Sequence, residues 1–160
     1  MKGAPAAALV AALALTALPA SAEAAPCRPD ATKRVVVGFL QAFNSGDIRS
    51  ADRFFAAIGV FRWYSTTAPG TRRGQAAYRR ETLRPYLESR ARARERLQLV
   101  RFRFSGPDGG SSLGHFSGSV RRSARGVTPR TFLLRGAAEC ASGDPLLVLW
   151  SMVGPPVRSS

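Results

Sequence analysis

The chain has 160 residues, with 24 Lys plus Arg against 10 Asp plus Glu and a formal net charge of +14. That length suits one domain, and 45% hydrophobic with 21% charged residues excludes wholesale disorder. No apolar run reaches the ~18 residues a membrane-crossing helix needs, and one His with two Cys supplies too few ligands for the usual structural zinc cages; no metal or cofactor is expected.

Residues 1–25 read as an export signal. Lys2 gives the positive start, Ala6 to Leu18 the apolar stretch, Pro19 the break and Ala20-Ser21-Ala22 the small-residue pattern that a signal peptidase accepts. Cleavage after Ala24 or Ala25 is an alternative. Pro26 before Cys27 is not the small residue of a lipid-attachment box, and no twin arginines precede the apolar stretch. The expected location is therefore secreted. In that oxidising setting Cys27 and Cys140, 113 positions apart, are expected to pair, with two free thiols as the alternative.

Residues 26–154 form the expected single domain, and 155–160 a flexible tail. Asp30 is placed to cap a first helix, in which Val36, Phe39, Leu40 and Phe43 recur at helical spacing up to Ser45-Gly46. Asp47 caps a shorter helix with Ile48, Ala51, Phe54 and Phe55 on one face. Val60 to Tyr64 reads as a strand and Ser65 to Arg73 as a loop. A third helical region follows from about Gln75 to Arg92, its apolar residues Ala76, Tyr78, Leu83, Tyr86 and Leu87, with Pro85 expected to kink or divide it.

The remainder reads as strands. Val100, Phe102 and Phe104 alternate with Arg101 and Arg103, predicting one buried and one wet face. Leu113 to Val120 follows the turn at Gly106 to Gly110. Arg130 to Glu139 then places Phe132, Leu134, Gly136, Ala138 and, just beyond, Cys140 on one face. Leu146 to Val153 is apolar on both faces, which predicts a central strand or an interface. Helices first and strands last give an α+β layout with helices on one face of an antiparallel sheet.

The run Phe39-Leu40-Gln41-Ala42-Phe43-Asn44-Ser45-Gly46-Asp47, then Phe54-Phe55, Phe61-Arg62-Trp63 and Val148-Leu149-Trp150-Ser151-Met152, resembles the SnoaL-like branch of the nuclear transport factor 2-like superfamily. The resemblance implies a cone: a curved antiparallel sheet wrapped around the N-terminal helices, with a pocket at its open end. Enzymes of that superfamily hold a carboxylate base in an apolar pocket, where burial raises its pKa. Members often carry acids just after the second helix; here Ala56-Ala57-Ile58 stand there, so no base is carried over.

The candidate catalytic residues are therefore His115, the single histidine, and Asp52, at the edge of the second helix's apolar face. His115 shares a strand side with Ser117, Ser119 and Arg121, and no GxSxG turn accompanies it. Glu81, Glu88 and Glu95 lie among arginines and read as solvated pairs, as does Glu139 with Arg135. Trp63, Tyr64, Tyr78, Tyr86 and His115 are candidates for a pocket lining, with core packing the alternative for the large aromatics.

Twenty-two of the 24 cationic residues are Arg. The densest run holds Arg90, Arg92, Arg94 and Arg96; as a helix these would surround the axis, as a strand they would form a ridge. No nucleic-acid-binding motif appears, so sequence-specific nucleic acid is not an expected partner. Three readings follow: a pocket-bearing binding module for a small apolar or anionic ligand, an isomerase or cyclase using His115 or Asp52, and a protein that contacts an anionic cell envelope through its arginines. Homodimerisation through the outer face of the last strands is compatible with each.

Overall fold

The computed structural model describes residues 27–57, 62–66, 74–106, 112–141 and 143–154. The expected export signal, Val60-Phe61, the Tyr64 side chain and the expected tail lie outside the described residues. Helix α1 (Pro29–Ser45) starts from Arg28 in an extended conformation, with Pro29 pre-set for the first turn. Asp30 is thus not the cap expected from the sequence; it sits inside the first turn, near the positive end of the helix dipole. Val36, Phe39, Leu40 and Phe43 are buried, as their spacing predicts. Gly46 takes φ 82°, the left-handed region open to glycine, and its N–H donates to Phe43 O at 3.0 Å. Helix α2 (Ile48–Arg53) is capped by Asp47, whose carboxylate accepts the Ser50 N–H at 3.0 Å. That bond holds the Asp47 carboxyl below its ordinary range.

Six strands follow: β1 (Arg62–Thr66), β2 (Gly74–Ala77), then, after helix α3 (Arg80–Arg92), β3 (Arg96–Phe104), β4 (Leu113–Ala124), β5 (Val127–Glu139) and β6 (Leu146–Val153). They form one sheet in the order β2-β1-β6-β5-β4-β3. Every pairing is antiparallel except β1 with β6, which is parallel. The doubly apolar β6 is central, as its composition requires. This is the expected α+β architecture, a curved sheet with the helices on its inner face.

Several boundaries differ from the sequence expectation. Gly74–Ala77 is a strand and not the start of the third helix, because its backbone groups pair with β1. Ser65, expected in a loop, is inside β1 and buried. Pro85 lies within α3, which runs on past it to Arg92. β4 and β5 extend farther than expected and meet in a tight hairpin at Arg125-Gly126. Val100 is 52% exposed instead of buried, for the register with β4 slips between Leu99 and Arg101 and leaves it as a bulge. The bulge keeps Leu99 and Phe102 facing inward on either side.

Glu95 is a further correction: it is 2% exposed, not solvated. Arg94, at φ 54°, turns the chain from α3 into β3 and drops Glu95 into the interior. There its Oε2 accepts from Arg90 and from Arg122 Nε at 2.9 Å, and the Arg122 guanidinium lies 5.5 Å from the centre of the Phe132 ring. A buried carboxylate persists only with such partners.

Cys27 and Cys140 form a disulfide with Cα atoms 5.3 Å apart, both residues buried. It fastens the segment before α1 to the end of β5. Closing a loop of 113 residues contributes about 4–5 kcal/mol in the chain-entropy account. Thiol titration of the denatured, unreduced protein is predicted to find no free thiol. Reduction should lower the melting temperature by on the order of 10 °C or more.

Candidate functional site

Cross-strand pairing sets the inner face of the sheet in rows. One row runs Phe104, Phe116, Gly136, Trp150, Trp63 and Ala77 across all six strands. The next runs Phe102, Gly118, Leu134, Met152 and Ser65. The Trp63 and Trp150 rings stack with centroids 5.5 Å apart and 4° between planes. Phe39 from α1 meets them edge-on at 5.9 and 5.0 Å, and Phe55 packs on Phe39 at 4.9 Å. Tyr86 from α3 closes one side, 6.2 Å from Trp63. Gly136 makes room for this row, since Phe116 leans over it to reach Trp150 edge-on at 6.4 Å.

Within this aromatic layer Trp63 Nε1, Trp150 Nε1 and Ser65 Oγ are buried with no hydrogen-bond partner among the described residues. Trp63 is 2% exposed, Ser65 1% and Trp150 0%. Trp63 and Ser65 share the inner face of β1, and Trp150 stands directly opposite Trp63 on β6. Buried tryptophan N–H groups ordinarily find an acceptor, and each one left unmet costs ~1–3 kcal/mol. Thr32 Oγ1, at the start of α1, is a fourth such atom and stands apart from the sheet. An indole N–H only donates, so this layer is chemically matched to an acceptor: a carbonyl, an ether or a carboxylate oxygen.

The acids of the described residues lie outside this layer. Arg80 grips Asp52 with both arms, Nε to Oδ1 at 3.1 Å and Nη2 to Oδ2 at 2.6 Å, linking α3 to α2. The hydrogen bond to Asp52 holds the Arg80 guanidinium above its usual pKa. Glu88 pairs with Arg84 on the exposed side of α3. His115 is half-buried on the outer face of the sheet, opposite Ala137. Asp52 lies on the helical side, so the sheet stands between the two candidate catalytic residues. No group of three metal-ligating side chains occurs among the described residues.

Of the remaining lining candidates, Trp63 is in the aromatic layer and Tyr86 at its edge, whereas Tyr78 is 68% exposed just before α3. The arginine run forms neither a continuous helix nor a ridge. Arg90 is held by Glu95, Arg92 ends α3, Arg94 occupies the turn and Arg96 opens β3. Arg135 and Glu139 make no ion pair with each other. Ser65 escaped the sequence reading, although its two-residue spacing from Trp63 was the available signal. Two surface clefts are lined by described residues alone. One of about 550 Å³ runs along the outer side of α1 by Asp30, Lys33 and Gln41. The other, about 350 Å³, lies between Arg34, Arg53, Phe54 and Asp144.

No family model and no curated protein matches this sequence. Solved structures do match. A Xanthomonas campestris protein described as a calcium/calmodulin-dependent protein kinase II association domain aligns at TM-score 0.64 and 14% identity, covering 89% of this chain and 94% of its own. A nuclear transport factor 2-like protein of unknown function from Shewanella oneidensis aligns at 0.61 and 9%, covering 78% and 97%. A ketosteroid isomerase-like protein from Erwinia carotovora atroseptica aligns at 0.56 and 16%, covering 79% and 97%. At such identities the likeness is one of fold: the chain has the nuclear transport factor 2-like fold.

A Cβ added to Gly136 would lie 2.7 Å from Phe116 Cε2 and 2.5 Å from the Leu149 carbonyl oxygen. Gly136→Ala is predicted to destabilise the protein by about 1–3 kcal/mol in urea unfolding, with a changed near-ultraviolet spectrum as the tryptophan row shifts.

Proposed function

We propose that the chain is a secreted, non-catalytic binding module that takes a small, largely apolar ligand carrying a hydrogen-bond acceptor into its aromatic interior. The observation that carries this reading is the set of three unmet polar groups, Trp63 Nε1, Trp150 Nε1 and Ser65 Oγ, on adjacent inner positions of two paired strands. Aromatic faces supply area for an apolar body, and the donors orient its polar end. A carboxylate acceptor on the ligand would also be attracted by the chain's net charge of +14. Secretion is supported by the leader composition and by the disulfide, which suits an oxidising compartment. Among the described residues no helix is long and apolar enough to cross a membrane.

The enzyme reading is less well supported. A general base must reach the proton that it abstracts, yet Asp52 is gripped by Arg80 and His115 sits across the sheet from it. The likeness to a ketosteroid isomerase-like protein is one of fold, and this chain places no described carboxylate in the aromatic layer.

Ser65→Ala separates a binding role from a structural one by the sign of its effect. Removing an unmet hydroxyl is predicted to leave the free protein unchanged or to stabilise it by up to about 1–2 kcal/mol. The same substitution should weaken capture of an apolar carboxylate probe, such as a medium-chain fatty acid followed by tryptophan quenching, by about fivefold or more. Native mass spectrometry should show one bound equivalent. Destabilisation by the substitution with unchanged capture, or no saturable binding by the parent protein, would remove the support for this reading.

A further inference from the structure

The bulge at Val100 has a consequence on the other side of the sheet. By restoring the alternation after Leu99 it turns Arg101 and Arg103 outward, onto a face that none of the described helices covers. Arg103 stands opposite Ser117 on β4, which stands opposite Arg135 on β5. In the next row Arg101 is opposite Ser119, and Ser119 opposite Leu133. Arg121 follows, between Gln98 and Thr131. All four arginines are exposed.

Strand geometry sets their spacing. Neighbouring strands lie ~4.8 Å apart and alternate residues along a strand ~6.8 Å apart. Arg103 and Arg135 are therefore about 10 Å apart at the backbone, and Arg101 and Arg103 about 7 Å. Such separations are within the ~10 Å screening length at 0.1 M salt, so the four charges repel one another. None of the four makes an ion pair or a side-chain hydrogen bond among the described residues; the ion pairs there use Arg80, Arg84, Arg90 and Arg122. The acid on this face, Glu139, lies four residues beyond Arg135, opposite Leu113 and Leu146.

We propose that this outer face binds a linear anionic polysaccharide. A four-arginine field with short serines between the long side chains accepts an extended chain bearing regularly spaced carboxylate or sulfate groups. The Ser117 and Ser119 hydroxyls lie between the arginines, within reach of sugar hydroxyls. Exposed Leu133 and Val100, at 49% and 52%, offer small apolar contacts to sugar rings, too little to insert into a bilayer. No Phe, Tyr or Trp projects from the outward positions of β3, β4 or β5 to stack a nucleobase. Two copies would oppose arginine to arginine here, which disfavours self-association through this face.

The experiment titrates purified protein with heparin and with polygalacturonate at rising salt. It compares R101Q/R103Q/R121Q/R135Q with R34Q/R53Q/R79Q/R92Q, a control of equal net charge that alters exposed arginines elsewhere. By counterion release, which contributes a slope of ~0.7–0.9 per contact on nucleic acids, the outer-face variant should lower the dependence of log affinity on log salt by about 3. The control should lower it by less than about 1. Circular dichroism verifies folding, and R103Q/R135Q, with half the effect, replaces the quadruple variant if that one does not fold. Equal losses in the two variants would overturn the proposal. So would binding to phosphatidylglycerol vesicles or single-stranded DNA that is tighter than to either polysaccharide and shows the same variant dependence.

Discussion

The parallel stack of Trp63 on Trp150 is the contact on which the rest of the structure depends. It joins β1 to β6, the one parallel pairing in the sheet, and so attaches the early β1–β2 pair to the late antiparallel strands. Phe39 stands edge-on to both rings, which docks α1 against the same pair. Each ring buries on the order of 150–250 Å², so this cluster supplies a large share of the apolar driving force. The rest is arranged around it: Gly136 makes way for Phe116, Phe55 and Tyr86 seal the sides, and the disulfide fixes the margin.

The same stack explains an asymmetry in polar chemistry. Elsewhere among the described residues the buried polar side chains are met, Thr32 Oγ1 excepted. Glu95 has two arginines, and Asn44 exchanges hydrogen bonds with the Leu97 backbone at 2.7 and 2.8 Å. In the tryptophan row they are not met, and a fold that satisfies a buried carboxylate so fully has no structural need to strand two indole donors beside a hydroxyl. The sheet thus separates an inner aromatic layer, which holds donors and no described carboxylate, from an outer face whose four arginines make no ion pair among the described residues.

Much of the fold was legible in the sequence because it follows from periodicity. The α1 face from Val36 to Phe43, the inward positions of β5 and the central place of β6 each reflect a repeat of 3.6 or 2, or an unbroken apolar run. What escaped depends on partners distant in the chain. Gly74–Ala77 has no branched or aromatic side chain to mark a strand; its identity comes from pairing with β1. Val100 looks inward by alternation until the β4 register shows the bulge. Glu95 reads as one more solvated acid among arginines, and only the left-handed Arg94 carries it to Arg122. At the site, Trp63 and Tyr86 were legible as aromatics. Ser65, Trp150 as an unmet donor and the outer-face arginine field were not, because strand order brings them together.

The stacked tryptophans carry indole donors that meet no acceptor among the described residues. The chain contains two tryptophans, so a nitrogen-15 correlation spectrum of the indole N–H groups reads both sites directly. The unliganded protein should give two sharp indole signals at the upfield positions of donors without an acceptor, both moving downfield when a carboxylate-bearing apolar compound is captured. Two signals already at hydrogen-bonded positions in the unliganded protein, unmoved by any such compound, would contradict the claim.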